Sequence, residues 1–170
     1  MEKEICEDCE CEDSCLDDLK KNYLEIQVKY GLPNFDELNK DFQIEKIADS
    51  ETDYLLREIR KYLVDKLTNY MNFVETILHP ASGTMFIFSL IKTLGSDEKE
   101  ILMEVYKKLA KNRVRVIGLD VEYLANKEAD YIKDSFKLWQ EMKGSLSKVL
   151  EVVEKNWDNK IELNGRKYLG

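Results

Sequence analysis

Residues 50–80, SETDYLLREIRKYLVDKLTNYMNFVETILHP, decide the fold class. Leu56, Ile59, Leu63, Leu67, Tyr70, Val74 and Ile77 recur at steps of three and four, the spacing that lines one face of an α-helix. Arg57, Glu58, Arg60, Lys61, Asp65, Lys66 and Glu75 fall mainly on the other side. Ser50 and Asp53 give a start close to a capping box, and Pro80 gives the stop. A helix of roughly 28 residues is about 42 Å long, enough for one wall of a bundle. The chain is therefore expected to be all-α, a helical bundle around this long central helix.

The flanking segments fit that plan. Leu16, Leu19, Tyr23, Ile26 and Tyr30 predict a first helix that ends at Gly31, with Leu32-Pro33 behind it. Asn34 caps a short turn through Phe35 and Leu38, and Phe42, Ile44 and Ile47 anchor an irregular connection. The segment 81–94 is almost uncharged and too short to span a bilayer, so it reads as a buried central helix, with a half-exposed partner groove as the second reading.

Ser96-Asp97-Glu98 restarts the chain with acids suited to a helix N-terminus, and Ile101, Leu102, Val105, Tyr106 and Leu109 line one face. Val114, Val116, Leu119, Val121 and Tyr123 hint at strand alternation; the preferred reading continues the helix to Ile117. Ala129, Ile132, Phe136, Trp139 and Met142 mark the next helix, Gly144-Ser145 punctuates it, and Leu146, Val149, Leu150 and Val153 mark a last one. Asn164-Gly165 between apolar flanks suggests a minor C-terminal hairpin.

Charge divides the chain into an arm, residues 1–18, and a body, residues 19–170. The arm holds nine acids and one lysine, which accounts for the whole formal charge of -8; the body holds 25 residues of each sign. All four cysteines, Cys6, Cys9, Cys11 and Cys15, also lie in the arm. Ordinary packing scatters cysteines, so the cluster has a purpose of its own. Three readings compete: a four-thiolate zinc or iron-sulfur site, local disulfides, or an acidic tail with reduced thiols. The compressed spacing departs from the usual two pairs across a longer loop, and the neighbouring carboxylates repel thiolates, a cost that only a bound cation offsets.

Catalytic candidates are few. His79, the only histidine, ends a helix, where an imidazole commonly meets free carbonyls. There is no glycine-rich phosphate loop, nucleophile elbow or His-Glu-x-x-His pair, so an enzyme is the less favoured class. Lys107, Lys108, Lys111, Arg113 and Arg115 form a basic run suited to phosphates, an acidic partner or the arm itself, or simply to a solvated face near a helix C-terminus. With no apolar run of membrane length and an acidic beginning, the expected location is the cytoplasm.

Tyr30-Gly31-Leu32-Pro33 with Phe35, Leu38, Phe42 and Ile44, then Leu55-Leu56-Arg57-Glu58-Ile59-Arg60, resembles a group of uncharacterised archaeal helical proteins over residues 20–155. The resemblance implies an archaeal cytosolic protein without an enzyme site, and no particular activity. The leading expectation is a non-enzymatic helical interaction or adaptor protein whose acidic, metal-binding arm recognises a basic protein partner. The alternatives are a nucleic-acid- or ribosome-associated factor using Lys107 to Arg115, and an iron-sulfur or thiol redox protein centred on the cysteines.

Overall fold

The computed structural model describes residues 8–49, 52–81 and 83–165, with side chains placed from Cys15 to Trp157 within those limits. Among the described residues six α-helices follow one another: α1 Asp8–Tyr30, α2 Phe35–Phe42, α3 Leu55–Leu78, α4 Met85–Thr93, α5 Ser96–Val121 and α6 Ala125–Gly165. A 3-10 segment, Ile44–Asp49, joins α2 to the approach of α3, and no strand occurs among the described residues. The all-α expectation holds.

Two compact units divide the chain. One takes Met1–Lys66 with Gly118–Phe136, the other Leu67–Ile117 with Lys137–Gly170, so the division falls inside α3, α5 and α6.

In the first unit, Leu19, Tyr23, Leu38, Phe42, Ile44, Ile47, Leu56, Ile59, Leu63 and Ile132 are buried. Gly31 ends α1 in the left-handed conformation, φ 65°, with its N–H donating to the Gln27 carbonyl at 2.8 Å and that of Leu32 to the same oxygen at 3.2 Å. The Tyr23 hydroxyl then donates to the Pro33 carbonyl at 2.8 Å, and its ring meets Phe35 edge-on at 5.2 Å. Asn34 caps α2 by accepting from the Asp36 N–H at 2.8 Å. Thus the Gly-Leu-Pro-Asn stretch turns the chain while the N–H groups of Gly31 and Leu32, the Pro33 carbonyl and the Asn34 side-chain oxygen are paired.

In the second unit, Leu67, Val74, Ile77, Ile87, Leu90, Leu102, Val105, Leu109, Trp139, Met142, Val149 and Val153 form the buried set. Tyr70 packs on Trp139 with ring centroids 4.9 Å apart, and the Asn156 amide donates to the Thr93 carbonyl at 3.2 Å.

Several expectations are corrected. The first helix starts at Asp8 rather than near Leu16, so Cys9, Cys11 and Cys15 belong to α1. The expected central helix α3 has 24 residues, whereas α6 has 41 and is the longest described. Its proposed cap, Ser50, lies outside the described residues. The strand hint at 114–123 gives way to helix through Val121, because Asn112, Val116 and Leu119 are buried at steps of four and three. Gly144 does not interrupt α6, which also replaces the C-terminal hairpin up to Gly165; residues 166–170 lie outside the description. The segment 81–94 contains a nine-residue helix that is buried on one side only.

Candidate functional site

The residue spacing of α1 builds one wall of a groove in the first unit. Cys15, Asp18, Asn22 and Glu25 follow at steps of three and four, with Leu19 and Ile26 beside them. Ile47 and Ala48 from the 3-10 segment, with Thr52 and Leu55, supply the remaining lining of a space of about 420 Å³. Leu19 and Ile47 are buried, Ile26, Ala48 and Leu55 half-buried, and Cys15, Asp18, Asn22 and Glu25 exposed. An apolar floor therefore carries a polar rim. Among the described residues, both charged lining residues, Asp18 and Glu25, are acids, and no Lys, Arg or His lines the groove. This volume falls in the range of small-ligand pockets, and the charge favours a cation.

Cys15 has an exposed free thiol at this rim. Cys9 and Cys11 lie in the same helix, while Cys6 lies outside the described residues. No group of three or more His, Cys, Asp or Glu side chains that could hold a metal occurs among the described residues.

The basic run lies on α5 in the second unit, and several of its members already have neighbours. Lys107 pairs with Glu104 at 2.8 Å, and this hydrogen bond holds the Glu104 carboxyl below its ordinary value. Lys108 reaches Glu141 at 3.8 Å, and Arg113 donates to the Thr68 hydroxyl at 3.4 Å. Lys111 and Arg115 are exposed. His79 is exposed at the end of α3, where its backbone N–H donates to the Glu75 carbonyl at 2.8 Å.

A charged cluster in the first unit went unnoticed in the sequence. Arg60, 4% exposed, sits 2.6 Å from the fully buried Glu128 through Nε and 2.9 Å from Asp120 through Nη1. The Arg60–Glu128 contact is short but poorly aligned for a hydrogen bond, so it acts as an ion pair. Burial pushes the Glu128 carboxyl above its ordinary value, while Arg60 and Arg57 pull it back. Arg57 stands beside the edge-to-face pair of Tyr54 and Tyr123, its guanidinium carbon 5.5 and 4.8 Å from their ring centroids. The signal was present: Arg60 follows Leu56 by four residues, and Glu128 precedes Ile132 by four, so both positions belong to apolar stripes.

No helix among the described residues is long and apolar enough to cross a membrane. Comparison with protein families, characterised proteins and solved structures finds no match to this chain.

Proposed function

We propose that the chain is a non-enzymatic interaction protein that takes up a basic partner segment at the α1 groove. The carrying observation is an apolar floor whose charged lining residues, among those described, are Asp18 and Glu25. A lysine or arginine fits this chemistry because its methylene stem covers apolar surface while its charged end meets the carboxylates. The acid-rich sequence before Cys15 adds long-range attraction for the same partner. Screening by salt weakens that attraction, since exposed charges act over about 8 Å at physiological ionic strength.

A labelled amphipathic arginine-rich peptide titrated into the full chain tests this reading. The double variant Asp18→Lys with Glu25→Lys should bind about tenfold or more weakly at low salt. High salt should narrow the difference between the two proteins. Equal binding by the double variant would remove the groove from the proposal.

Zinc at Cys6, Cys9, Cys11 and Cys15 belongs to the same reading. A continuous helix separates Cys9 from Cys15 by about 9 Å along its axis, too far for two ligands of one tetrahedral ion with bonds of about 2.3 Å. Four-thiolate binding therefore requires the start of α1 to unwind. Elemental analysis and far-ultraviolet circular dichroism with and without zinc would read both consequences. The nucleic-acid alternative has less support, because Lys107, Lys108 and Arg113 already meet Glu104, Glu141 and Thr68.

A further inference from the structure

We propose that the second unit carries a binding site for a linear polyamine, in a groove lined by α5 and α6. The groove encloses about 320 Å³, within the range of small-ligand pockets. Its floor is apolar: Val105 and Met142 are 3% and 1% exposed, and Ile101 is half-buried beside them. Its rim is acidic. Asp97, Glu100 and Glu104 follow at steps of three and four, which brings them to one side of α5, and Glu141 comes from α6. All of these residues belong to the one unit.

The four carboxylates are not equally engaged. Glu104 meets Lys107 at 2.8 Å, and Lys108 reaches Glu141 at 3.8 Å. Asp97 and Glu100 pair with no cation among the described residues. The start of α5 is served by a different acid, Glu98, whose carboxylate accepts from the Gly95 N–H at 2.8 Å. The charge of Asp97 and Glu100 is thus left for a ligand.

Spacing and floor select the ligand. A compact metal ion needs its oxygens gathered within about 2–2.6 Å, whereas Asp97 and Glu104 lie about 10 Å apart along the helix axis. A row of carboxylates over an apolar floor matches an elongated cation in which methylene spacers separate ammonium groups. The methylenes cover Val105 and Met142, while ammonium groups meet carboxylates at successive steps of about 4.5 and 6 Å. A single lysine side chain carries its charge at one end and serves one step of the row. Lys108, itself half exposed, is the chain's own cation at this rim and competes with the ligand for Glu141.

Isothermal titration calorimetry of the full chain with spermidine at low salt tests the proposal, with amide NMR shifts to locate the ligand. Saturable binding should move the amides of residues 97–108 and 141–145. Asp97→Asn with Glu100→Gln should weaken it by about tenfold or more. Asp18→Asn with Glu25→Gln removes the same charge from the first unit and should change it by less than about twofold. Lys108→Gln should tighten binding by about threefold or more, whereas Lys111→Gln, an equal charge change at an exposed position outside the groove, should not. Hexaamminecobalt(III), of equal charge but without methylenes, should bind at least about tenfold more weakly than spermidine. Circular dichroism melting checks that each variant is folded. Shifts confined to residues 1–25, indifference to the Asp97 and Glu100 substitutions, no difference between Lys108→Gln and Lys111→Gln, or equal affinity for the two cations would overturn the proposal. So would an arginine-rich peptide that expels spermidine and itself depends on Asp97 and Glu100, which would assign the groove to a protein segment.

Discussion

Arg60 Nε stands 2.6 Å from Glu128 Oε2, and only 5% and 0% of the two side chains are exposed. The same guanidinium meets Asp120 at 2.9 Å, although that carboxylate is 60% exposed. One cation on α3 is thus paired with acids on α5 and α6. The buried contact matters more than the exposed one, because water screens Asp120 and is kept from Glu128.

Replacing Arg60 by methionine should lower stability by about 3–5 kcal/mol, since it leaves Glu128 buried without its closest cation. Urea denaturation measures the loss. Adding Glu128→Leu should recover much of it, because an apolar pair removes the desolvation cost on both sides. If Arg60→Met alone is neutral, the pair does not hold these helices.

The same cluster fixes a pH dependence. Burial raises the proton affinity of Glu128 in the folded chain above the ordinary carboxyl value of 4.5, with Arg60 opposing the shift. A carboxyl shifted in this direction contributes stability that is present below its unfolded value and lost as pH rises through the folded value. Arg60→Met removes the opposing pull and enlarges the shift. The stability gap between wild type and Arg60→Met should therefore widen from about pH 4 to about pH 8. Paired denaturation curves at the two pH values check it, and a gap that narrows would contradict the sign.

The legible parts of the fold were those with one dominant period and a clear stop. The α3 residues Leu56, Ile59, Leu63, Leu67, Val74 and Ile77 are all buried, and Gly31 ends α1 as its position before Leu-Pro implied. The outward side of α4 was less legible, because apolar residues fill both its buried positions, Ile87 and Leu90, and its exposed ones, Met85, Phe86 and Phe88. Val114 and Val121 misled in a different way: they resemble members of an alternating strand, yet they are 67% and 84% exposed on a helix. Arg60 and Glu128 were missed because charge was treated as a sign of exposure; their spacing with the apolar stripes carried the better information. The groove was out of reach, since Cys15, Asp18 and Glu25 acquire their apolar floor partly from residues more than twenty positions away.

Gln43 offers a local test of backbone conformation. It ends α2 at φ 55°, ψ 43°, the left-handed region that a side chain bearing Cβ rarely adopts. Its N–H to the Asn39 carbonyl, at 2.7 Å, survives replacement by glycine, while the exposed contact with Lys46 is lost. Gln43→Gly should raise stability by about 0.5–1 kcal/mol, strain relief being partly offset by the greater freedom of glycine in the unfolded chain. Gln43→Val should lower it. Chemical denaturation of both variants checks the direction.

Gly144 tests the continuity of α6. Glycine inside a helix costs roughly 0.5–1 kcal/mol relative to alanine, because its backbone loses more freedom on folding. A Cβ built at Gly144 meets nothing within 4 Å, and the position has no left-handed φ to require glycine. Gly144→Ala should therefore raise stability by about that amount and increase helical circular dichroism or leave it unchanged. Gly144→Pro should do the opposite, by about 3 kcal/mol, because proline removes an N–H donor and crowds the preceding turn. A helix that stopped at Gly144 to turn would show a different pattern: alanine would be unfavourable at a left-handed stop and proline tolerated just beyond it. Thermal denaturation of Gly144→Ala and Gly144→Pro distinguishes the two arrangements, and a stabilising alanine with a destabilising proline is the result expected of the unbroken helix.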